Sequence, residues 1–313
     1  MGNLDPDMRA ILDLMRANPA PPVSVLTPAE ARRNVATLFT PFWNADAPRL
    51  PRIEDSTVPG PAGPIPVRLY DPGVPPGGPG LVYLHGGGWV ICDRDSHDGI
   101  CRRLALTGSM RVVSVEYRLA PEHKFPAPLE DCIAAARAVA AEAGRFGVDP
   151  GRLAVGGDSA GANLSLATLV ALRDGGGPAY RAGLLIYGAY GLGGDTASHR
   201  AFGDGSYVLS TADMKWFLGH YIDGAAGADD PRVSPIRAAL AGLPPLLLTA
   251  AAFDPLLDDS LALSEKLSHA GQPHTYRLWP GVVHAALHMT RMLPAMEGYI
   301  AEMGQWLGST LRS

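Results

Sequence analysis

The sequence predicts an α/β fold in which a mostly parallel central sheet is covered on both faces by helices, and two observations carry that prediction. Short apolar or β-branched runs, most of them flanked by Gly or Pro, recur at residues 65–70, 81–84, 111–117, 153–156, 184–187, 246–250 and 275–279, each of strand length. Helical stretches lie around residues 128–143, 160–173, 259–270 and 288–308. Strands joined through helices run parallel, and functional groups then gather at their carboxyl ends. The 313 residues suffice for one such domain with a sizeable core, and there is no internal repeat or low-complexity tail.

Ahead of the first strand the pattern is helical. Asp5 caps a helix whose first position is Pro6, and Met8, Ile11, Leu12 and Met15 recur at helical spacing. After the break at Pro19-Ala20-Pro21-Pro22, Thr27 and Glu30 form a capping box, with Val35, Leu38 and Phe39 as the apolar stripe. These stripes must be buried, either by ordinary packing on the main domain or as part of a lid. A second interruption spans about 190 to 232, where Tyr190, Phe202, Tyr207, Trp216, Phe217 and Tyr221 cluster without strand–helix rhythm. It reads as an insertion, whose alternative is a surface excursion packed on itself.

A net charge of −5 without a basic cluster gives no footing for nucleic acid or an anionic membrane. Cys92, Cys101 and Cys132 lack metal-ligand spacing and are odd in number, so they read as reduced thiols. The start of the chain is acidic where a secretory signal is basic, and no apolar run is long enough to span a bilayer. The expectation is a soluble cytoplasmic protein without membrane insertion. A homo-oligomer is compatible with this composition.

Two glycine-rich motifs carry the chemistry. Gly157-Asp158-Ser159-Ala160-Gly161 closes the apolar run Leu153-Ala154-Val155-Gly156 and opens an alanine- and leucine-rich stretch. That strand, tight turn and helix context presents a nucleophilic serine, and the flanking glycines let strand and helix approach. Upstream, Leu81-Val82-Tyr83-Leu84 is followed at once by His85-Gly86-Gly87-Gly88-Trp89. Consecutive glycines free N–H groups to converge on one spot, as acyl transfer requires where a carbonyl becomes an oxyanion. Losing one such donor costs about 2.7–4 kcal/mol of barrier.

The remaining members of a triad follow from chain order, Ser then Asp then His. Asp254 comes just after the run at 246–250, whereas Asp258 and Asp259 fall near the start of the next helix. His284 follows the last strand and the Pro280-Gly281 turn. His85 belongs to the glycine loop, His269 and His274 precede the last strand, and His288 falls one helical turn later.

Together with Glu116-Tyr117-Arg118-Leu119-Ala120-Pro121-Glu122 and Asp254-Pro255-Leu256-Leu257-Asp258, these motifs resemble the hormone-sensitive lipase family of α/β-hydrolases, mostly bacterial carboxylesterases. The resemblance runs from about residue 60 onward and is weakest at the N-terminus and between about 190 and 232. Ala285-Ala286 departs from the family's usual Gly-Phe after the histidine.

The resemblance implies an α/β-hydrolase with a helical cap. Residues 1–45 would be the first part of the cap, 190–232 its insertion, and 46–189 and 233–313 the two parts of the catalytic domain. It implies Gly87, Gly88 and Ala160 as oxyanion donors, and hydrolysis of short-acyl esters by Ser159, His284 and Asp254 through an acyl-enzyme, with water as the second substrate and no metal or organic cofactor. Substrate-contact candidates are Trp89, Asp158, Tyr190, Phe202, Tyr207 and Trp216. For Asp158 a hydrogen bond within the turn is the stronger reading, and the alternative for Trp89 is that it simply anchors its loop. Tyr117, Arg118 and Glu122 read as a buried polar network. The alternatives are an amidase or another acyl hydrolase on the same triad, or a receptor-like binding protein.

Overall fold

The computed structural model describes residues 3–191, 193 and 195–313. Helices α1 (Pro6–Ala17), α2 (Pro28–Asn34) and α3 (Thr40–Trp43) precede the sheet, with a π-helical turn, Val35–Phe39, joining the last two. Both expected caps are present. Asp5 accepts from the N–H groups of Asp7 and Met8, and Thr27 and Glu30 cap reciprocally. Strands β1 (Arg52–Val58), β2 (Ile65–Asp71) and β3 (Gly78–Leu84) lead through α4 (Asp98–Gly108) to β4 (Arg111–Val115). Then come α5 (Ala127–Ala141), α6 (Ala143–Phe146), β5 (Val148–Asp158), α7 (Ala160–Asp174) and β6 (Ala182–Ile186). The inserted segment carries α8 (Ala197–Phe202) and α9 (Thr211–Tyr221), and β7 (Leu246–Phe253), α10 (Leu257–His269), β8 (His274–Val283) and α11 (Ala295–Arg312) complete the chain.

Among the described residues, eight strands form one sheet in the order β1-β2-β4-β3-β5-β6-β7-β8, antiparallel at the β1–β2 and β2–β4 pairs and parallel thereafter. Alternation along the strands divides the core. Val82, Leu84 and Val155 face a layer with Leu164 of α7, Cys132 of α5 and Leu263 of α10, while Leu81, Tyr83 and Ala154 face Met8 of α1, Leu104 of α4 and Ile300 of α11. On that second face α4 and α11 cross at close range. A Cβ on Gly308 would lie 2.4 Å from Gly108 O, and one on Gly304 would lie 2.0 Å from Thr107 Oγ1.

Four details differ from the sequence reading. Strand β1 was not anticipated, because Arg52-Ile53-Glu54-Asp55-Ser56-Thr57 is an exposed polar edge held by pairing with β2. Helix α4 also escaped. Its buried face includes Arg103, whose charge pairs with Asp46 and Glu297 and so breaks the apolar pattern. The last helix starts at Ala295 instead of 288, since Ala285 takes φ +61 and a short turn, Ala286–Met289, precedes Pro294. Finally, Met8, Ile11, Leu12 and Val35 are buried, but Met15, Leu38 and Phe39 are exposed, so neither N-terminal stripe is buried over its full length.

Candidate active site

The parallel strands bring four loops to one edge. β5 ends at Asp158, and Ser159 follows with φ 53 and ψ −118, a conformation that costs about 1–3 kcal/mol for a residue with a side chain. The turn is held on both sides, the Ser159 N–H donating to Ile186 O and its carbonyl accepting from Ala162 and Asn163. Close approach explains the flanking glycines. A Cβ on Gly157 or Gly161 would sit 2.1 or 2.0 Å from Leu84 O, at the end of neighbouring β3.

Asp254 lies one residue beyond β7 and is fully buried. Its Oδ1 accepts from the Leu256 N–H at 2.8 Å and its Oδ2 from His284 Nδ1–H at 2.7 Å. With Nδ1 the donor, Nε2 is left to accept from Ser159 Oγ, 2.9 Å away. Tyr187 packs against the imidazole, 4.7 Å between ring centroids. Asp258 and Asp259 do other work. Asp258 Oδ2 accepts from the Ser198 N–H, and Asp259 Oδ1 accepts from the N–H groups of Tyr190 and Gly191, tying the insertion to α10.

The glycine loop leaves β3 beside the elbow. Gly88 has φ +58, and a Cβ there would meet the Phe217 ring of α9 at 2.2 Å, so only glycine lets α9 settle on the loop. Among the described residues, nothing accepts from the Gly87 or Gly88 N–H. The His85 ring stacks on Tyr117 at 4.3 Å, its Nδ1–H donates to Gly86 O, and burial, with His97 second, holds its pKa below the ordinary value. Tyr117 also donates to His85 O, Arg118 pairs with Asp131, and Glu122 pairs with Arg32. The three do not form the expected buried network: Tyr117 is buried, Arg118 is half-buried and Glu122 is exposed, and each bonds a different partner.

The six substrate-contact candidates fall in different places. Trp89 is buried and stacks flat on Tyr221, 4.5 Å away, as an anchor does. The Asp158 carboxylate lies beneath the glycine loop, bonded to Tyr83, Gly86 and His97. Tyr190 is fully buried, Phe202 and Tyr207 pack on each other and on Phe253, and Trp216 meets Phe217 and His220 edge to face. Phe217, which touches the glycine loop, was legible only as one more aromatic of the insertion. His97 carried no motif signal.

Side chains join the segments above this edge. Arg32 of α2 donates to Val90 O, Ala120 O and both oxygens of Glu122. The Ser24 N–H donates to Asp213 of α9. Asn163 of α7, buried just after the elbow, donates to Ala189 O and Val233 O, the two roots of the inserted segment.

A mostly parallel sheet with a Ser–His–Asp line at its carboxyl edge defines an α/β hydrolase, and the chain belongs to that family: residues 81–288 match the alpha/beta hydrolase fold. It is 40% identical over 249 residues to the carboxylic ester hydrolase LipN of Mycobacterium tuberculosis, covering 77% of this chain and 65% of that one, so it spans just under two thirds of that relative. It is 34% identical over 296 residues to the acetyl esterase of Salmonella agona, covering 93% and 90%. The hyperthermophilic esterase from the archaeon Pyrobaculum calidifontis superposes with a TM-score of 0.95 at 35% identity over the whole of both chains. The fold and family expected from the motifs are borne out. Among the described residues, no helix is long and apolar enough to cross a membrane.

Proposed function

We propose that the chain is a serine carboxylic ester hydrolase acting on small, short-acyl esters, as the acetyl esterase of Salmonella agona is named to do. The observation that carries this reading is the continuous Asp254–His284–Ser159 line, at 2.7 and 2.9 Å. His284 Nε2 takes the hydroxyl proton as Ser159 Oγ bonds to the ester carbonyl, and Asp254 stabilises the imidazolium that results. The N–H groups of Gly87, Gly88 and Ala160 receive the oxyanion. The protonated histidine then returns its proton to the departing alcohol. Water, deprotonated by the same ring, cleaves the acyl-enzyme and frees the acid.

Residues 1–45 and 190–232 supply the cap in this reading. Its support is the Ser24–Asp213 and Arg32–Val90 bonds above the edge and the pinning of both insertion roots by Asn163. Burial adds about 0.8 kcal/mol per methylene, so a walled pocket favours longer acyl chains stepwise and then rejects them, here at about four to six carbons. A cytoplasmic location fits three cysteines that are all free thiols.

The test is an ester panel graded by acyl length, run on the wild type and on Ser159→Ala. The variant keeps its circular dichroism and loses nearly all hydrolysis at every length. Substantial turnover by a folded Ser159→Ala protein defeats the assignment.

A further inference from the structure

Beneath the glycine loop stands a column of rings that the ester chemistry leaves unused. Trp43 of α3 stacks on His288 at 4.1 Å, and His288 meets His97 edge-on at 4.6 Å. His97, the residue before α4, is fully buried, and its Nε2 lies 3.1 Å from Asp158 Oδ1, next to Ser159.

The hydrogens around this ring follow from its neighbours. The Ser96 hydroxyl has one hydrogen. Its oxygen sits 2.7 Å from Asp93 O, which offers only lone pairs, so the hydrogen lies between those two oxygens. The same hydroxyl oxygen accepts from the Asp93 N–H at 2.9 Å. Its 3.0 Å contact with His97 Nδ1 therefore takes its hydrogen from the ring. On the other side, Asp158 Oδ1 accepts from the Tyr83 hydroxyl at 2.7 Å and from the Gly86 N–H at 3.0 Å. The Gly86 N–H also lies 3.3 Å from His97 Nε2, but its nearer acceptor is Asp158 Oδ1 at 3.0 Å; with that hydrogen given to the carboxylate, which has only lone pairs, the 3.1 Å contact with His97 Nε2 takes a second ring hydrogen. A ring with hydrogen on both nitrogens is an imidazolium.

We propose that His97 is a buried imidazolium paired with Asp158, and that through Asp158 and the Gly86 N–H it positions the oxyanion loop against Ser159.

The surrounding groups agree. Those facing the pair are Tyr83 and His85 from β3 and the loop after it, Ser96 and Asp93 from the turn before α4, and His288 from the turn after β8. Burial alone would raise the Asp158 carboxyl, but the charge and hydrogen bond of His97, with the Tyr83 hydroxyl, hold it below the usual carboxylate range. Burial, with the charge of His97 second, drives His288 down to about 3 and lowers His85, so these two rings are neutral neighbours of the pair. A buried carboxylate without such a partner would be strongly disfavoured. The loop rests directly on the pair, because a Cβ at Gly86 would lie 2.4 Å from Asp158 Oδ2. Gly86 in turn precedes the two glycines read above as oxyanion donors, and the positioning role rests on that reading. His97 acts through Asp158 and touches no substrate, which makes it a positioning residue.

The deciding measurement is nuclear magnetic resonance of the full-length protein with 15N-labelled histidine rings at about pH 8, above the ordinary histidine value of about 6.5. The His97 signals are identified by their loss in His97→Gln. Two hydrogen-bearing ring nitrogens are expected in the wild type, and Asp158→Asn should convert one to the hydrogen-free form. A hydrogen-free ring nitrogen at wild-type His97 overturns the ion pair, whether or not the variants fold. In kinetics, folded His97→Gln should lose about tenfold to a hundredfold in kcat with KM within about twofold, as for misplaced rather than missing donors. An unchanged kcat overturns the positioning role. The spectrum needs no substrate, so it stands even if Gly88→Ala turns over normally and the donor reading fails.

Discussion

At the sheet edge, backbone holds the reacting groups; above it, side chains do. Ser159 is fixed by peptide hydrogen bonds to Ile186, Ala162 and Asn163 and by glycines pressed against Leu84 O, and Asp254 is oriented by the Leu256 N–H. The overlying segments add to a few peptide bonds, such as that from the Phe125 N–H to Tyr221 O, the side chains of Arg32, Asp213 and Asn163 reaching main-chain groups. Backbone contacts are imposed by strand geometry and tolerate little change of residue. Side-chain ties can be made from many positions, so substitution should stop chemistry at the edge but retune affinity and selectivity above it.

The sharpest way to break this contrast is at the base. His284→Gln should lower kcat by about 10⁶-fold, while His288→Gln, one turn on, retains most turnover. The opposite pattern would move the base into the ring column below the loop. A smaller effect is expected where edge and roof touch. Gly88→Ala places a methyl 2.2 Å from Phe217 at φ +58, and about a hundredfold loss in kcat/KM follows from a displaced loop. Adding Phe217→Ala should recover part of it, and a double variant as slow as the single one would show that the roof does not bear on the loop.

Within the roof, Arg32→Ala removes bonds to Val90, Ala120 and Glu122, an expected stability loss of about 1–3 kcal/mol by urea unfolding. The acyl-length profile should flatten with kcat for the shortest ester nearly intact. An unchanged profile would reduce the N-terminal helices to scaffold. The smallest effect concerns acid. His288 titrates at about 3 when folded and near 6.5 when unfolded. Between those values the unfolded chain binds the extra proton, so stability falls as pH drops through that window, by at most about 1.4 kcal/mol per pH unit. His288→Phe should flatten the slope, and an unaltered slope would place the acid sensitivity elsewhere.

The same contrast explains what was legible in the sequence. Ser159, Asp254 and His284 could be placed because each follows an apolar run, and Gly157 and Gly161 record a steric demand that only glycine meets. The caps at Asp5 and Thr27 were legible because capping is local. Strand β1 was not, since a polar edge strand is defined by its partner, and the aromatics of the insertion were not, since composition cannot tell Trp89 stacked on Tyr221 from a pocket wall. His97 lay in plain sight among ordinary residues; Asp158 of β5 and His288, which it faces, are far away in sequence.

The close crossing of α4 and α11 bears on how the molecule moves. α4 begins a few residues after the glycine loop, and α11 follows the turn that carries His284. With Gly304 and Gly308 against Thr107 and Gly108, and Arg103 paired to Glu297, the two helices form one rigid strut. The loop that follows the glycines and the turn that carries the imidazole therefore lead into one helix pair and share a single support on that face of the sheet. A substitution that loosens this crossing, such as Gly304→Val, should therefore disturb the imidazole and the glycine loop together.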